Sequence, residues 1–258
     1  MLTVLLLSFG LLPADAPAAA TPLRYNFVAG TKHQLNVEQR TVTDDRPAKV
    51  LRMEFEQAVT EVRAGEARVL LTLKSIQFVG GDQRSTLYEA LEGVSWRGWV
   101  TQTGHWKELT MSTTKATPKL LRPVIDKLRK LPPGRLGILP DRALKTGETW
   151  TLSAQDLARG GGSTWALPTQ GTMRCTLLKR SPEEAKIKLQ LAASMGSADP
   201  RRNGKVSGAG TVVLDLSHGI ITRMSLRSEL TLDLTVGGAP KSHRIVNNFS
   251  MTSSLESP

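Results

Sequence analysis

Four histidines are the residues best suited to metal binding or proton transfer, and their spacing favours neither role. No two of them stand three or four residues apart, so the chain lacks the His-x-x-x-His pair of a zinc-binding helix. Two of them adjoin glycines of expected turns, where solvated polar side chains are typical. We therefore predict no metal site and no cofactor from the four histidines His33, His105, His218 and His243.

The single cysteine, Cys175, alternates with Met173 and Leu177. Apolar residues at period two form one face of a strand, which favours a small core residue over a reactive thiol. Because the chain has no second cysteine, it forms no internal disulfide.

Carboxylates and hydroxyl nucleophiles show no catalytic pattern. The sequence contains no Gly-x-Ser-x-Gly elbow, and Glu54 and Glu56 share the solvent face of an expected strand. We predict no catalytic residue. A hydrolase of an envelope or polysaccharide substrate stays as an alternative, because two glycosidase carboxylates can come from distant strands. The remaining adjacent carboxylates fall at expected turns: Asp44, Asp45, Glu183 and Glu184.

Three tryptophans surround one expected hairpin, beside Arg97 and Lys107. Aromatic rings next to bases can stack on sugars or lie at a lipid interface, and core packing is the alternative. Trp96 and Trp99 have opposite parity, so one of them is expected to face outward from a regular strand. We assign Trp96 and Trp99 to a membrane or partner surface; the third ring is Trp106.

One segment, Pro118–Leu131, departs from the alternating pattern and has apolar residues at helical spacing. Its basic face can lie on an anionic membrane, or its apolar face can pack on the open side of a β half-barrel. Pro123 fits the first turn of such a helix, and Pro132 begins the stop signal. The bases assigned to the membrane or partner surface are Lys119, Arg122, Lys127, Arg129 and Lys130.

The rest of the chain alternates apolar and polar residues between turn signals, which is typical of half-buried antiparallel strands. Leu51, Met53 and Phe55 share one parity, as do the apolar residues from Met224 to Val236. The pattern predicts a mostly β protein with antiparallel sheets, arranged as a half-barrel or a sandwich, and one connecting amphipathic helix.

The chain aligns with itself without gaps at a shift of 118 residues. Phe55 then falls on Met173, and Val59 falls on Leu177. This predicts a duplication. Its boundaries are a first β repeat at 21–117, a helix and connector at 118–146, and a second β repeat at 147–258.

The N-terminus, Met1–Ala20, has an uncharged apolar run at Leu2–Leu12 and a small-x-small site ending at Ala20. This is typical of a cleavable secretory signal, although no base precedes the run. A buried N-terminal strand or helix is the alternative. Cleavage removes one charged residue, Asp15, and raises the net charge from +11. We predict a soluble periplasmic or extracellular protein whose basic surface meets envelope components rather than nucleic acid.

Three stretches resemble a family of bacterial envelope proteins of unknown function: Leu139–Trp150, Glu61–Ala67 and Gly208–Gly219. The resemblance implies export and no enzymatic role. Members are often lipid-anchored, and this chain has no cysteine near the predicted cut. More distantly, the plan of repeats and helix is similar to half-barrel carriers of lipoproteins and lipids, which is an analogy of fold alone.

The leading functional interpretation is a non-enzymatic envelope protein that binds a lipid or another hydrophobic ligand between a curved sheet and the basic helix. Its expected partners are that ligand, an anionic membrane surface or an envelope protein. Beside the hydrolase, a structural or adhesion module is the other alternative, and it predicts an exposed apolar patch.

Overall fold

The structure is a computed structural model that describes residues 22–44, 46–79, 88–113, 121, 137–153, 156, 170–195, 202–236 and 239–255. The predicted signal peptide lies outside these residues. So does the predicted helix, Pro118–Leu131, apart from the buried Leu121.

Eleven strands account for most of the described chain. In the first half they are β1 (Lys32–Thr43), β2 (Lys49–Arg63), β3 (Glu66–Val79), β4 (Ser95–Thr101) and β5 (Trp106–Ser112). In the second half they are β6 (Thr149–Ser153), β7 (Gln170–Arg180), β8 (Glu184–Met195), β9 (Arg202–Asp215), β10 (Ile220–Val236) and β11 (Ala239–Leu255).

All eleven strands belong to one antiparallel sheet, in the order β5-β4-β3-β2-β1-β11-β10-β9-β8-β7-β6. The sheet is continuous because β1 pairs with β11 along its length, from His33 opposite Leu255 to Thr43 opposite Ile245. The prediction of a mostly β, antiparallel protein is confirmed. The sandwich alternative is wrong for the described strands, because the two halves meet edge to edge through hydrogen bonds.

Alternation gives the sheet an apolar inner face and a polar outer face. In β8, the buried Ile187 and Leu189 alternate with the exposed Lys186 and Lys188. We call the face of Ile187 the inner face and the face of Lys186 the outer face. This division follows from the period of two in side-chain direction along a strand.

Chain segments outside the strands cover one end of the inner face. We call it the closed end: β1 begins there and β11 ends there. The covering residues are buried to 8% exposure or less: Leu23, Tyr25, Phe27, Ile138, Leu139 and Leu144. They belong to the same apolar core as the strands. The opposite end, where β1 ends at Thr43, is called the open end.

The segment before β1 is tied to the closed end by several hydrogen bonds. The Tyr25 backbone N–H donates to Gln102 O at 2.8 Å, and the Arg24 guanidinium donates to Pro140 O at 2.8 Å. The segment passes so close to Gly219 that a Cβ there would lie 2.2 Å from the Asn26 nitrogen. The turn between β9 and β10 therefore requires a glycine at this position.

The hairpins β2–β3 and β7–β8 have equal register at a shift of 118 residues from Phe55 to the turn; before Phe55 they differ, because β2–β3 has a further register shift between Glu54 and Phe55. Phe55 pairs with Leu73, and Met173 pairs with Leu191 at the equivalent position. Each hairpin also has a register shift at the same place, between Val59 and Glu61 and between Leu177 and Lys179. The alignment of the sequence with itself thus coincides with equal strand pairing.

The approach to each hairpin is equivalent as well. The Gly30 N–H donates to Val59 O at 2.8 Å, and the Gly147 N–H donates to Leu177 O at 2.7 Å. Both glycines have positive φ, 84° and 89°, which glycine adopts without the steric cost that a Cβ would add.

Candidate functional site

Burial of the inner face decreases along the strands from the closed end to the open end. In β8, Ile187 and Leu189 are fully buried, and Leu191 is half-buried. In β11, Met251 is buried and Phe249 is half-buried. The same strands therefore contribute to a fully buried core at one end and to a half-buried apolar surface at the other.

The accessible part crosses most of the sheet. We call it the inner groove. Its apolar side chains are half-buried and come from β2, β3, β6, β8, β9, β10 and β11: Leu51, Phe78, Leu152, Leu191, Ala193, Val206, Leu230, Leu232, Ile245 and Phe249. Five of them pack against the buried core, and the Phe78 ring lies 4.5 Å from the Tyr88 ring between centroids.

A polar strip divides the inner groove where β1 meets β11. Gln39 and Thr41 occupy inner positions of β1, opposite Phe249 and Asn247. The Thr41 hydroxyl donates to the Asn247 Oδ1 at 2.7 Å, and the Gln39 amide donates to the Thr41 Oγ1 at 3.5 Å. The groove thus offers apolar walls and, between them, side chains that can hydrogen-bond a polar group.

Two glycines shape the β9 side of the inner groove. A Cβ at Gly204 would lie 2.8 Å from a Leu232 methyl carbon, and one at Gly210 would lie 2.1 Å from the Ser225 carbonyl oxygen. Glycine in a strand often marks such a close approach. Because Gly204 has no side chain, Leu232 can extend over β9 and join the groove surface.

The two tryptophans assigned to a surface lie on opposite faces of β4, as their parity indicated. Trp96 is fully buried in the inner core, 6.3 Å from the Phe55 ring between centroids. Trp99 is on the outer face and is 8% exposed, because the Arg63 guanidinium covers its ring at 3.7 Å. A membrane or partner role for this pair stays a prediction that requires both rings to be uncovered.

The basic residues assigned to the same surface, Lys119, Arg122, Lys127, Arg129 and Lys130, lie outside the described residues. Their membrane or partner role likewise stays a prediction. The neighbouring Leu121, which the structure describes, is 1% exposed and belongs to the core.

Two histidines form ion-pair contacts at opposite ends of the sheet. His243 Nδ1 lies 2.8 Å from Asp44 Oδ2 at the open end, and His218 Nδ1 lies 2.8 Å from Asp215 Oδ2 at the closed end. Burial opposes ionisation of Asp215, but hydrogen bonds from His218 and Ser217 outweigh it and lower the pKa of the carboxyl. The His218 pair lies at a turn of the closed end, whereas His243 has the inner parity of β11 and is opposite the groove residue Leu232.

Cys175 is fully buried, which confirms its predicted core position. Burial raises the pKa of its thiol to about 12, so it stays protonated at neutral pH and is a poor nucleophile. Among the residues with described coordinates, no group of three or more His, Cys, Asp and Glu side chains could hold a metal ion. No described helix is long and apolar enough to cross a membrane.

The inner groove was not identified from the sequence, although its residues belong to predicted strands. Their alternation indicates which side chains face inward. It does not indicate where the covering segments end, because residues 22–27 and 138–144 are brought onto the closed end by long-range contacts. A half-buried leucine and a fully buried one have the same sequence signal.

No family model matches the chain, and no curated protein matches it in sequence. The resemblance to bacterial envelope proteins therefore stays a prediction. Lipovitellin, solved to describe its lipid–protein interactions, matches 90% of the chain at 11% identity and a TM-score of 0.46. The chain spans 26% of the length of that protein.

Two bacterial structures match at lower TM-scores. A LolA superfamily protein from Nitrosomonas europaea is 10% identical, with 88% of each chain covered and a TM-score of 0.21. A structure described as an outer membrane lipoprotein-sorting protein domain, from Vibrio parahaemolyticus, is 11% identical over 87% of this chain and 84% of its own, with a TM-score of 0.27. The predicted distant similarity to lipoprotein and lipid carriers agrees with these neighbours.

Proposed function

We propose that this protein is an exported, non-enzymatic envelope protein that binds a lipid or another hydrophobic ligand in the inner groove. The observation that carries the proposal is the change in burial along the same strands. Leu189 and Met251 are sealed in the core, and Leu191 and Phe249, two residues further toward the open end, are half-buried.

The groove can supply binding energy because its surface is apolar and partly hydrated. Removing apolar surface from water gains roughly 25 cal/mol per Å², so a ligand that covers about 300 Å² gains roughly 7 kcal/mol before the costs of association. An acyl chain or a similar elongated apolar group has the shape to lie across several strands.

The polar strip favours an amphipathic ligand over a pure hydrocarbon. Thr41 and Asn247 already satisfy part of each other's hydrogen-bonding capacity, and an amide or hydroxyl can accept or donate further bonds. A ligand with a polar headgroup would place that group on the strip and its apolar part on the leucines beside it. Covering the strip with hydrocarbon would instead cost desolvation of these groups.

Two adjacent positions of β11 provide a matched test. Ile245 lies on the inner face, and Val246 lies on the outer face opposite Val42; both are half-buried. We expect Ile245→Glu to weaken binding of a fluorescent fatty-acid probe at least about tenfold, because a carboxylate in the groove opposes an apolar ligand. Val246→Glu should change it less than about twofold. Titration of the purified protein measures both.

Equal probe affinity in the two variants and in the unchanged protein would contradict the proposal. If Ile245→Glu instead dissociates an oligomer and leaves probe binding unchanged, the groove is an interface between protein molecules. That result would favour the structural or adhesion module.

Export is the second part of the proposal, with Met1–Ala20 as the cleaved signal. N-terminal sequencing of the exported protein should find Thr21 as its first residue. Recovery of the protein outside the cytoplasm with residues 1–20 still attached would contradict cleavage at this site. The released chain would begin directly before the segment that covers the closed end, Pro22–Phe27.

We also infer that the β strands form two related repeats, 21–117 and 147–258, joined by the segment 118–146. What supports this is the coincidence of the 118-residue shift with equal strand pairing, including the register shifts that follow Val59 and Leu177. Alternating sequences match each other readily, but equal register shifts at equivalent places are not required by alternation.

A further inference from the structure

Three arginines stand in one line across the outer face, on the side of the sheet away from the inner groove. Arg174 in β7 is opposite Gln190 in β8, and Gln190 is opposite Ala209 in β9. Ala209 is in turn opposite Arg227 in β10. Arg227 is opposite Asn248, which is opposite Arg40 in β1. We call Arg40, Arg174 and Arg227 the arginine row; all three are exposed.

The spacing of the row follows from sheet geometry. Neighbouring strands lie about 4.8 Å apart, so Arg174 and Arg227, three strands apart, stand on backbones separated by about 14 Å. Arg227 and Arg40, two strands apart, are separated by about 10 Å. The guanidinium groups can therefore contact successive charges of an extended ligand, and not the single charge of a small anion.

Two troughs lie between the members of the arginine row. The first, of about 710 Å³, lies between Arg174 and Arg227. The second, of about 530 Å³, lies between Arg227 and Arg40. Their floors consist of small or polar side chains: Ala192, Ser207 and Ala209 in the first, and Ser225, Asn248 and Ser250 in the second.

The carboxylates near the row hydrogen-bond to arginines outside it; Arg244 is the main cause of the lowered pKa of the Glu229 carboxyl, and the charge of Arg227 adds to it. Glu229 lines the first trough and accepts two hydrogen bonds from Arg244, at 2.8 and 2.7 Å. Glu38 lines the second and accepts one from Arg52 at 2.9 Å. In the part of the chain that the structure describes, no carboxylate forms an ion pair with a member of the row.

We propose that the arginine row and its two troughs bind an acidic polysaccharide. Arginine pairs with carboxylate and sulfate groups through two parallel hydrogen bonds. The hydroxyl and amide side chains on the floors can bond sugar hydroxyls. The troughs favour a chain of sugar size over a flat bilayer, whose headgroups would contact the arginine tips and leave the floors uncovered.

Binding to immobilised heparin and to polygalacturonate, measured at low salt with the purified protein, tests the proposal. The double variant Arg174→Ala, Arg227→Ala should bind at least about tenfold more weakly, because it loses one or two charge-assisted hydrogen bonds to the polymer. A charge-matched control, Arg68→Ala with Arg142→Ala, removes two exposed arginines that are paired with Glu61 and Glu148 and line neither trough. It should change the affinity less than about threefold.

Four results would overturn the proposal: no binding of either polymer, an equal loss in the control, equal binding of neutral dextran, or stronger arginine-dependent binding to phosphatidylglycerol vesicles than to the polymers. The last would identify a membrane as the partner. The thermal unfolding temperature of the double variant is the control for folding. If it equals that of the unchanged protein, a loss of binding is not caused by a loss of fold. The single variants Arg174→Ala and Arg40→Ala, assayed in the same way, replace the double variant if it does not fold.

Discussion

The hairpins β2–β3 and β7–β8 have the same pairing and different outer surfaces. The 118-residue shift places Glu56 on Arg174 and Glu54 on Thr172, and the pairs of inner residues correspond from Phe55–Leu73 to the turn. Glu56 pairs with Lys74 at 3.4 Å. Arg174 has no ion pair among the described residues, and it lines a trough.

The difference shows which part of each hairpin is constrained by the fold. Inner residues of both are mostly apolar and buried, because they must fill one common core; Gln57, 3% exposed, is a polar exception. Outer residues contact water and neighbouring side chains only, so their charge can change at little cost in stability. In β2–β3 these charges neutralise each other, and in β7–β8 they remain available for a partner.

The largest expected effect tests the equivalence of the inner faces. Leu71 and Leu189 are equivalent, and they are 1% and 0% exposed. We expect Leu71→Ala and Leu189→Ala each to lower the free energy of unfolding by about 2–5 kcal/mol, through lost burial and a residual cavity. Urea denaturation measures both. A loss below about 1 kcal/mol in one variant only would show that the hairpins do not contribute equally to the core.

A smaller effect tests the glycines at the approach to each hairpin. Gly30 and Gly147 have positive φ, and a Cβ at either would meet no atom within 4 Å. Gly30→Ala and Gly147→Ala should therefore cost only the backbone strain of a left-handed alanine, about 1–2 kcal/mol each. Gly219→Ala is the contrast, because its Cβ would lie 2.2 Å from the Asn26 nitrogen. We expect it to cost more than either, and an equal cost would mean that Asn26 can move away.

The smallest effect concerns the outer faces. The Lys107 ammonium and the Arg63 guanidinium hydrogen-bond to Glu66 and lower the pKa of its carboxyl. A lowered folded-state pKa stabilises the protein above the ordinary glutamate value of about 4.3, and this stability is lost as the pH falls through the folded-state pKa. On acidification, the free energy of unfolding of the Glu66→Gln variant should therefore fall less than that of the unchanged protein.

The equivalent carboxylate in the second half is the control for Glu66. Glu184 follows the β7–β8 turn and has no ion pair among the described residues, so Glu184→Gln removes no such contact. Urea denaturation at several pH values from neutral to about 3 compares the two variants. An identical pH dependence for Glu66→Gln and the unchanged protein would show that the contacts of Glu66 with Lys107 and Arg63 do not stabilise the fold.

Much of the fold could be predicted because its signals are local. The alternation from Met224 to Val236 indicates the long strand β10, and Gly104 marks the turn between β4 and β5. The opposite parity of Trp96 and Trp99 correctly places them on different faces. It could not indicate that Arg63, 36 residues earlier, covers Trp99, because that contact depends on the pairing of β3 with β4.

The candidate site depends on contacts between residues far apart in sequence. The arginine row joins Arg40 and Arg227 through Asn248, and the polar strip joins Thr41 to Asn247. Local sequence determines the strands, the face on which each side chain lies, and the common pattern of the two hairpins. Tertiary structure alone determines that β1 and β11 join the halves into one sheet, that the core is sealed at one end, and that separate arginines stand in line. The physical reason is that alternation specifies the direction of a side chain, whereas its neighbours are specified by hydrogen bonds between strands about 200 residues apart.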